Sequence, residues 1–229
     1  AYSQKQQQEE IQSTTSSAAT AATATTEEEE EKVPEIRSEV AVVAPRKLDP
    51  EQEAAMKNIK VAEMMKACRE GNVDAVASLI KETRGMTIDV VNGKNERGET
   101  PLMSACAASK PSITTILLAY GADQMAENNY GETALHFTAL SGDEASAMIL
   151  IRNGANVSKR SRSGMTALHH AAWKKHLALA QWLIRGGANP NELTDEGFSP
   201  LHLACMTTPG QYRLPTEEAR QVIEFLLES

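Results

Sequence analysis

The residues of this chain with the widest chemistry are three cysteines and five histidines. An odd number of thiols, here Cys68, Cys106 and Cys205, offers neither a disulfide framework nor a metal quartet. His202 and Cys205 are three apart, so a helix would put two ligands on one face, but zinc usually takes four. His136, His169 and His202 recur at intervals of 33, and His170 and His176 stand outside that series with no nucleophile partner. There is no Gly-rich phosphate loop, no G-x-S-x-G and no H-E-x-x-H. The expectation is a non-enzyme: no catalytic residue, no cofactor and no metal.

The elements that carry these residues repeat. "GETPLMSAC" begins at Gly98, "GETALHFTA" at Gly131, "GMTALHHAA" at Gly164 and "GFSPLHLAC" at Gly197, each 33 after the last. Gly121, Gly154 and Gly187 keep the same interval, each followed by Ala and then Asp or Asn. A fixed period of this length marks an array of units that pack on their neighbours. In the unit from Gly131, Thr133 is a plausible N-cap, a short helix runs to about Leu140, Gly142 breaks it, and a second helix carries Ile149, Leu150 and Ile151 to Gly154. The first helix has about eight residues and is too short to stand alone.

Before the array the composition changes. Residues 1–32 are Gln, Ser, Thr, Ala and Glu with little else, and cannot bury enough apolar surface to offset their ordering entropy. Residues 1–48 are therefore expected to be a low-complexity tail, disordered when alone. Within it "EVAVVA" sits between Pro34 and Pro45, either as an apolar spacer or as an extended docking segment. A helix is expected from Asp49 as N-cap, with Pro50 at the first helical position and Gln52 placed for a capping box. "DAVASLIKE", from Asp74, reads as its hairpin partner.

The net charge of −8 is concentrated in residues 1–32, which argues against nucleic acid, a ligand that needs a positive footprint. No apolar run approaches the ~20 residues of a membrane helix. No secretory signal is read, so an intracellular, unsecreted protein is expected, and Asn156-Val157-Ser158 is discounted as a glycosylation site. The opening Ala-Tyr-Ser fits Met removal, a trimmed targeting peptide or a fragment equally.

The repeating unit resembles the ankyrin repeat. That family's opening, G-x-T-P-L-H-x-A-A, is met by Gly98-Glu99-Thr100-Pro101-Leu102, Thr133-Ala134-Leu135-His136, Thr166-Ala167-Leu168-His169 and Ser199-Pro200-Leu201-His202. Its closing, L-L-x-x-G-A-D/N, is met by Leu117-Leu118 with Gly121-Ala122-Asp123, Leu150-Ile151 with Gly154-Ala155-Asn156, and Leu183-Ile184 with Gly187-Ala188-Asn189. The resemblance covers roughly residues 60–229, with Lys60 to Cys68 as a degenerate first unit. About five extra residues lie between Gly71 and Gly98, and about ten, partly "TTPGQYRLPT", split the last unit. Ser229 falls where that unit's closing Gly is due, and the natural protein is expected to continue. The implied fold is an all-α solenoid of about five helix–turn–helix units with a long N-terminal extension. The array spans residues 49–229, with units near 50–90, 91–123, 124–156, 157–189 and 190–229.

In this frame the three cysteines share one small, buried slot with Ala139 and Ala172, where Cys behaves as a small hydrophobe. The resemblance implies that His136, His169 and His202 bond to loop backbone, a structural role. It also implies a concave face of loop tips and first helices, on which non-framework slots carry the partner's information. Those slots hold Tyr130, Glu132 and Leu140 in the third unit, Arg162, Met165, Trp173 and Lys174 in the fourth, and Phe198 and Met206 in the fifth. Large apolar groups with a nearby Arg have the composition of an interface core. In the second unit the slots equivalent to Trp173 and Lys174 hold only Ala107 and Ala108. "SKRSR", with Lys174 and Lys175, is either a solvated tip or a match for an acidic or phosphorylated segment of the partner, or for the chain's own Glu27–Glu31 run. Two functions are expected. The first is a non-catalytic adaptor or regulator that grips a protein or peptide on the concave face. The second is a structural accessory subunit of a large, organellar or other multiprotein assembly, with the tail running over its neighbours.

Overall fold

The computed structural model describes residues 49–84, 89–206 and 217–229. The expectations for the tail, for "EVAVVA", for the Glu27–Glu31 run and for the insertion near Tyr212 lie outside them. Ten helices occur among the described residues, in five pairs. They are α1 (Pro50–Glu70) and α2 (Val73–Thr83), α3 (Pro101–Ala107) and α4 (Pro111–Ala119), α5 (Ala134–Ser141) and α6 (Glu144–Arg152), α7 (Ala167–Lys174) and α8 (Leu177–Arg185), and α9 (Pro200–Cys205) and α10 (Glu217–Glu228). The first helices stack in order from α1 to α9 and the second helices from α2 to α10, giving two layers.

The first helices α3 to α9 start at a Thr or Ser whose local bonds satisfy the exposed end of the helix. Thr133 N–H donates to His136 Nδ1 at 3.1 Å, Thr166 N–H to His169 Nδ1 at 3.1 Å, and Ser199 N–H to His202 Nδ1 at 3.1 Å. In the second unit Met103 Sδ replaces the imidazole and accepts Thr100 N–H at 3.4 Å. At the start of α1, Asp49 is the N-cap, but its carboxylate makes no capping bond and the box with Gln52 does not form. Both side chains are exposed there, where water hydrates a carboxylate as well as an N–H would.

Packing supplies what such short helices lack. Leu102, Leu135 and Leu168 from the first layer and Leu117, Leu150 and Leu183 from the second are fully buried in one continuous core. Each is worth roughly 1.5–3 kcal/mol of apolar burial. Leu201, in the equivalent slot of the last unit, is only half-buried, because no further first helix among the described residues stacks on α9.

The same asymmetry corrects the expectation for the thiols. Cys68 and Cys106 are buried, and desolvation pushes both up to about 12, whereas Cys205 is exposed. The shared slot is shielded by the following unit, and among the described residues no further unit stacks beyond Cys205.

Candidate functional site

Between each closing Gly and the next first helix, the chain forms a tight finger. Its turn is held by Gly98 N–H to Asn95 O at 2.9 Å, Gly131 N–H to Asn128 O at 3.0 Å, Gly164 N–H to Ser161 O at 3.0 Å and Gly197 N–H to Thr194 O at 2.9 Å. Neighbouring fingers are joined in series by Asn129 N–H to Arg97 O at 2.9 Å, Arg162 N–H to Tyr130 O at 2.8 Å and Asp195 N–H to Ser163 O at 3.1 Å. Gly164 shows why glycine is needed at the turn. Its φ is +75°, and a Cβ there would lie 2.7 Å from Asp195 N.

The histidines tie fingers to helices. His136 Nε2 reaches Met165 O at 3.2 Å, and His169 Nε2 reaches Phe198 O at 3.1 Å, each across one unit. Because Nδ1 must accept a backbone N–H, Nε2 carries the proton. Burial first, then repulsion from His170, holds His136 down at about 4, and burial also lowers His169. His202 keeps its local bond to Ser199 but is exposed, since no next finger is present among the described residues for it to reach.

Tyr130, Trp173 and Met206 are 63%, 46% and 42% exposed, and the side chains of Arg162, whose N–H bonds to Tyr130 O, and of Lys174, next to Trp173, are exposed as well. Leu140, Met165, Phe198 and Glu132 are half-buried rather than fully solvated, Phe198 with its ring edge-on to His202 at 6.3 Å and Glu132 against His170 of the next unit. Lys174 Nζ stands 4.5 Å over the Trp173 ring. Tyr130, Glu132, Ser161, Arg162 and Ser163 line a cleft of about 510 Å³ between two fingers.

The basic cluster is smaller than its sequence implies. Lys159 pairs with Glu127 at 2.5 Å, and Arg160 pairs with Glu192 at 2.6 Å and Asp195 at 2.9 Å. Lys175 turns inward and donates to Leu203 O at 3.2 Å and to Ala204 O, closing the end of α9. Arg162 and Lys174 make no ion pair among the described residues. The partners that sequence reading missed lie about one period away, as Glu192 does from Arg160. Charges offset by about 33 therefore face each other across neighbouring fingers, and that offset is the signal that would have found them.

Glu132 has a second, hidden environment. Its Oε2 accepts from Asn128 Nδ2 at 2.9 Å, and its Oε1 lies 3.5 Å from Nε2 of the buried His170. The His170 contact, aided by Asn128 and opposed by burial, holds this carboxyl below its usual range. No set of three or more His, Cys, Asp or Glu placed to hold a metal occurs among the described residues.

The family model for ankyrin repeats in three copies matches residues 58–128, 124–194 and 139–229. The chain belongs to the ankyrin repeat family. The capped short helices, the glycine fingers and the histidine bridges are thus the framework of an ankyrin array, and ankyrin repeats are general protein–protein interaction modules. No curated protein matches the chain. Among the described residues no helix is long and apolar enough to cross a membrane.

Proposed function

We propose that this ankyrin array is a non-catalytic adaptor or regulator that grips a protein or peptide on its concave face, across the third to fifth units. The observation that carries this reading is the exposure of Tyr130, Trp173 and Met206 at slots with no framework duty. Half-buried Leu140, Met165 and Phe198 extend the apolar surface, and such a centre with a polar rim is where binding energy concentrates. Glu132, Arg162 and Lys174 supply the rim. With Lys159, Arg160 and Lys175 engaged internally, Arg162 and Lys174 are left to meet an acidic or phosphorylated segment.

The test is capture from a lysate with wild type, Trp173→Ala, Phe198→Ala and a control, Tyr120→Ala. Tyr120 is equally exposed but closes α4, a second-layer helix. Retention of a partner should fall at least 30-fold with Trp173→Ala, as for loss of a ~2 kcal/mol anchor, and stay unchanged with Tyr120→Ala. Equal retention by all four proteins would move the interface off this face.

A further inference from the structure

The finger of the fourth unit contains Ser158-Lys159-Arg160-Ser161-Arg162-Ser163, and the proposed interface uses only Arg162 from it. Its serines have different duties. Ser161 Oγ accepts Met165 N–H at 3.1 Å and so holds the loop. Ser158 follows Ala155-Asn156-Val157, with no cation nearby in sequence on its N-terminal side. Ser163 is exposed, and among the described residues its hydroxyl hydrogen-bonds only with the Ser161 hydroxyl, at 3.0 Å. Its main chain stays fixed because Ser163 O accepts Asp195 N–H at 3.1 Å.

Of all the serines and threonines in the chain, Ser163 alone has cations one, three and four residues before it: Arg162, Arg160 and Lys159. A kinase whose peptide groove is lined by carboxylates selects that pattern by charge. The ion pairs that occupy Arg160 and Lys159 are at the surface, hence weak and exchangeable.

We propose that Ser163 is a phosphoacceptor for a kinase directed to basic sequences, and that phosphate there reverses the charge of the partner-binding face. In the transfer, Ser163 Oγ attacks the γ-phosphorus of ATP. The new Oγ–P bond forms as the bond from that phosphorus to the bridging oxygen breaks. ADP leaves, and the hydroxyl proton passes to the kinase's base. The product places a charge of about −2 next to Arg162, in the cleft that also holds Tyr130 and Glu132. Arg160 gains an acceptor that competes with Asp195, and an acidic segment of a partner is then repelled. The effect on binding rests on the proposed interface, whereas the modification site does not.

The experiment incubates the folded full chain with ATP and a basophilic kinase and maps phosphate by peptide mass spectrometry. Ser163 should be the main site in the array, lost in Ser163→Ala and slowed in Arg160→Gln. Thr87, Thr100 and Thr216, each with a single Arg three residues before it, are the competing positions. Phosphate only at those positions or in residues 1–48, or at Ser163 only after denaturation, would overturn the site. Phosphorylated and unmodified chains are then compared for capture of the proteins whose retention needs Trp173, with at least a tenfold loss expected on phosphorylation. Ser163 phosphorylated with unchanged capture would overturn the charge switch. No Trp173-dependent capture by either form would instead overturn the interface reading.

Discussion

Lowering the pH from 7 to 5 should destabilise the array through His136. In the folded chain this imidazole is neutral by construction. Nδ1 accepts Thr133 N–H at 3.1 Å, Nε2 meets Met165 O at 3.2 Å, and His170 stands edge-on at 5.8 Å. A second proton would sit on Nδ1, against a backbone donor, in a buried site. The folded value is about 4, against an unfolded value of 6.5. A base with a depressed folded pKa binds protons more readily when unfolded. Its stabilising contribution is therefore complete above pH 6.5 and is lost as pH falls from 6.5 towards 4. Between pH 7 and pH 5 the loss is about 2 kcal/mol, and the lowered pKa of His169 adds to it in the same direction. Down to pH 5 ordinary carboxylates stay mostly ionised, so the loss over that range is not theirs.

The assay is urea unfolding followed by circular dichroism at pH 7, 6 and 5. The informative variant is His136→Met, because the second unit already uses Met103 in this slot, accepting Thr100 N–H through sulfur. The variant should lose about 1 kcal/mol at pH 7, for the missing bond to Met165 O, while losing most of the pH slope. A wild-type midpoint that does not move between pH 7 and pH 5 would refute the reasoning. So would an undiminished slope in a His136→Met, His169→Met double variant.

Thiol labelling of the native chain should modify Cys205 quickly and leave Cys68 and Cys106 protected, since burial holds those two up at about 12; uniform labelling of all three would contradict this. Leu168→Ala should cost about 2–5 kcal/mol in urea unfolding, and half-exposed Trp173→Ala clearly less, so equal losses would make Trp173 a core residue. Gly164→Ala should cost about 1–3 kcal/mol, from the positive φ and the close approach of Asp195 N, and a neutral result would show that the finger relaxes freely. Ser109 adopts a φ of 53°, so Ser109→Gly should raise stability by about 0.5–1 kcal/mol in the same measurement.

What the amino-acid sequence determined by itself is the framework, because its signals act within one unit. The Thr133 and His136 pair needs only a spacing of three on a helix start, Gly142 ends α5 with a φ of 77°, and the apolar period places Leu135 and Leu150 inward. The non-framework slots are equally legible as positions. Only the tertiary structure decided what happens at each. Cys106 and Cys205 occupy one slot, as do His136 and His202, yet the earlier member of each pair is buried and the later exposed, since the shield comes from the next unit. Lys159 and Arg160 look as available as Arg162 along the chain, but carboxylates about a period away neutralise those two, while Arg162 has no ion pair among the described residues. Glu132 reads along the chain as an unengaged rim charge, but Asn128 and buried His170 hold it from behind. Burial and pairing are set by neighbours across a whole repeat. Side-chain identity at those neighbours varies from unit to unit, so no local pattern encodes them.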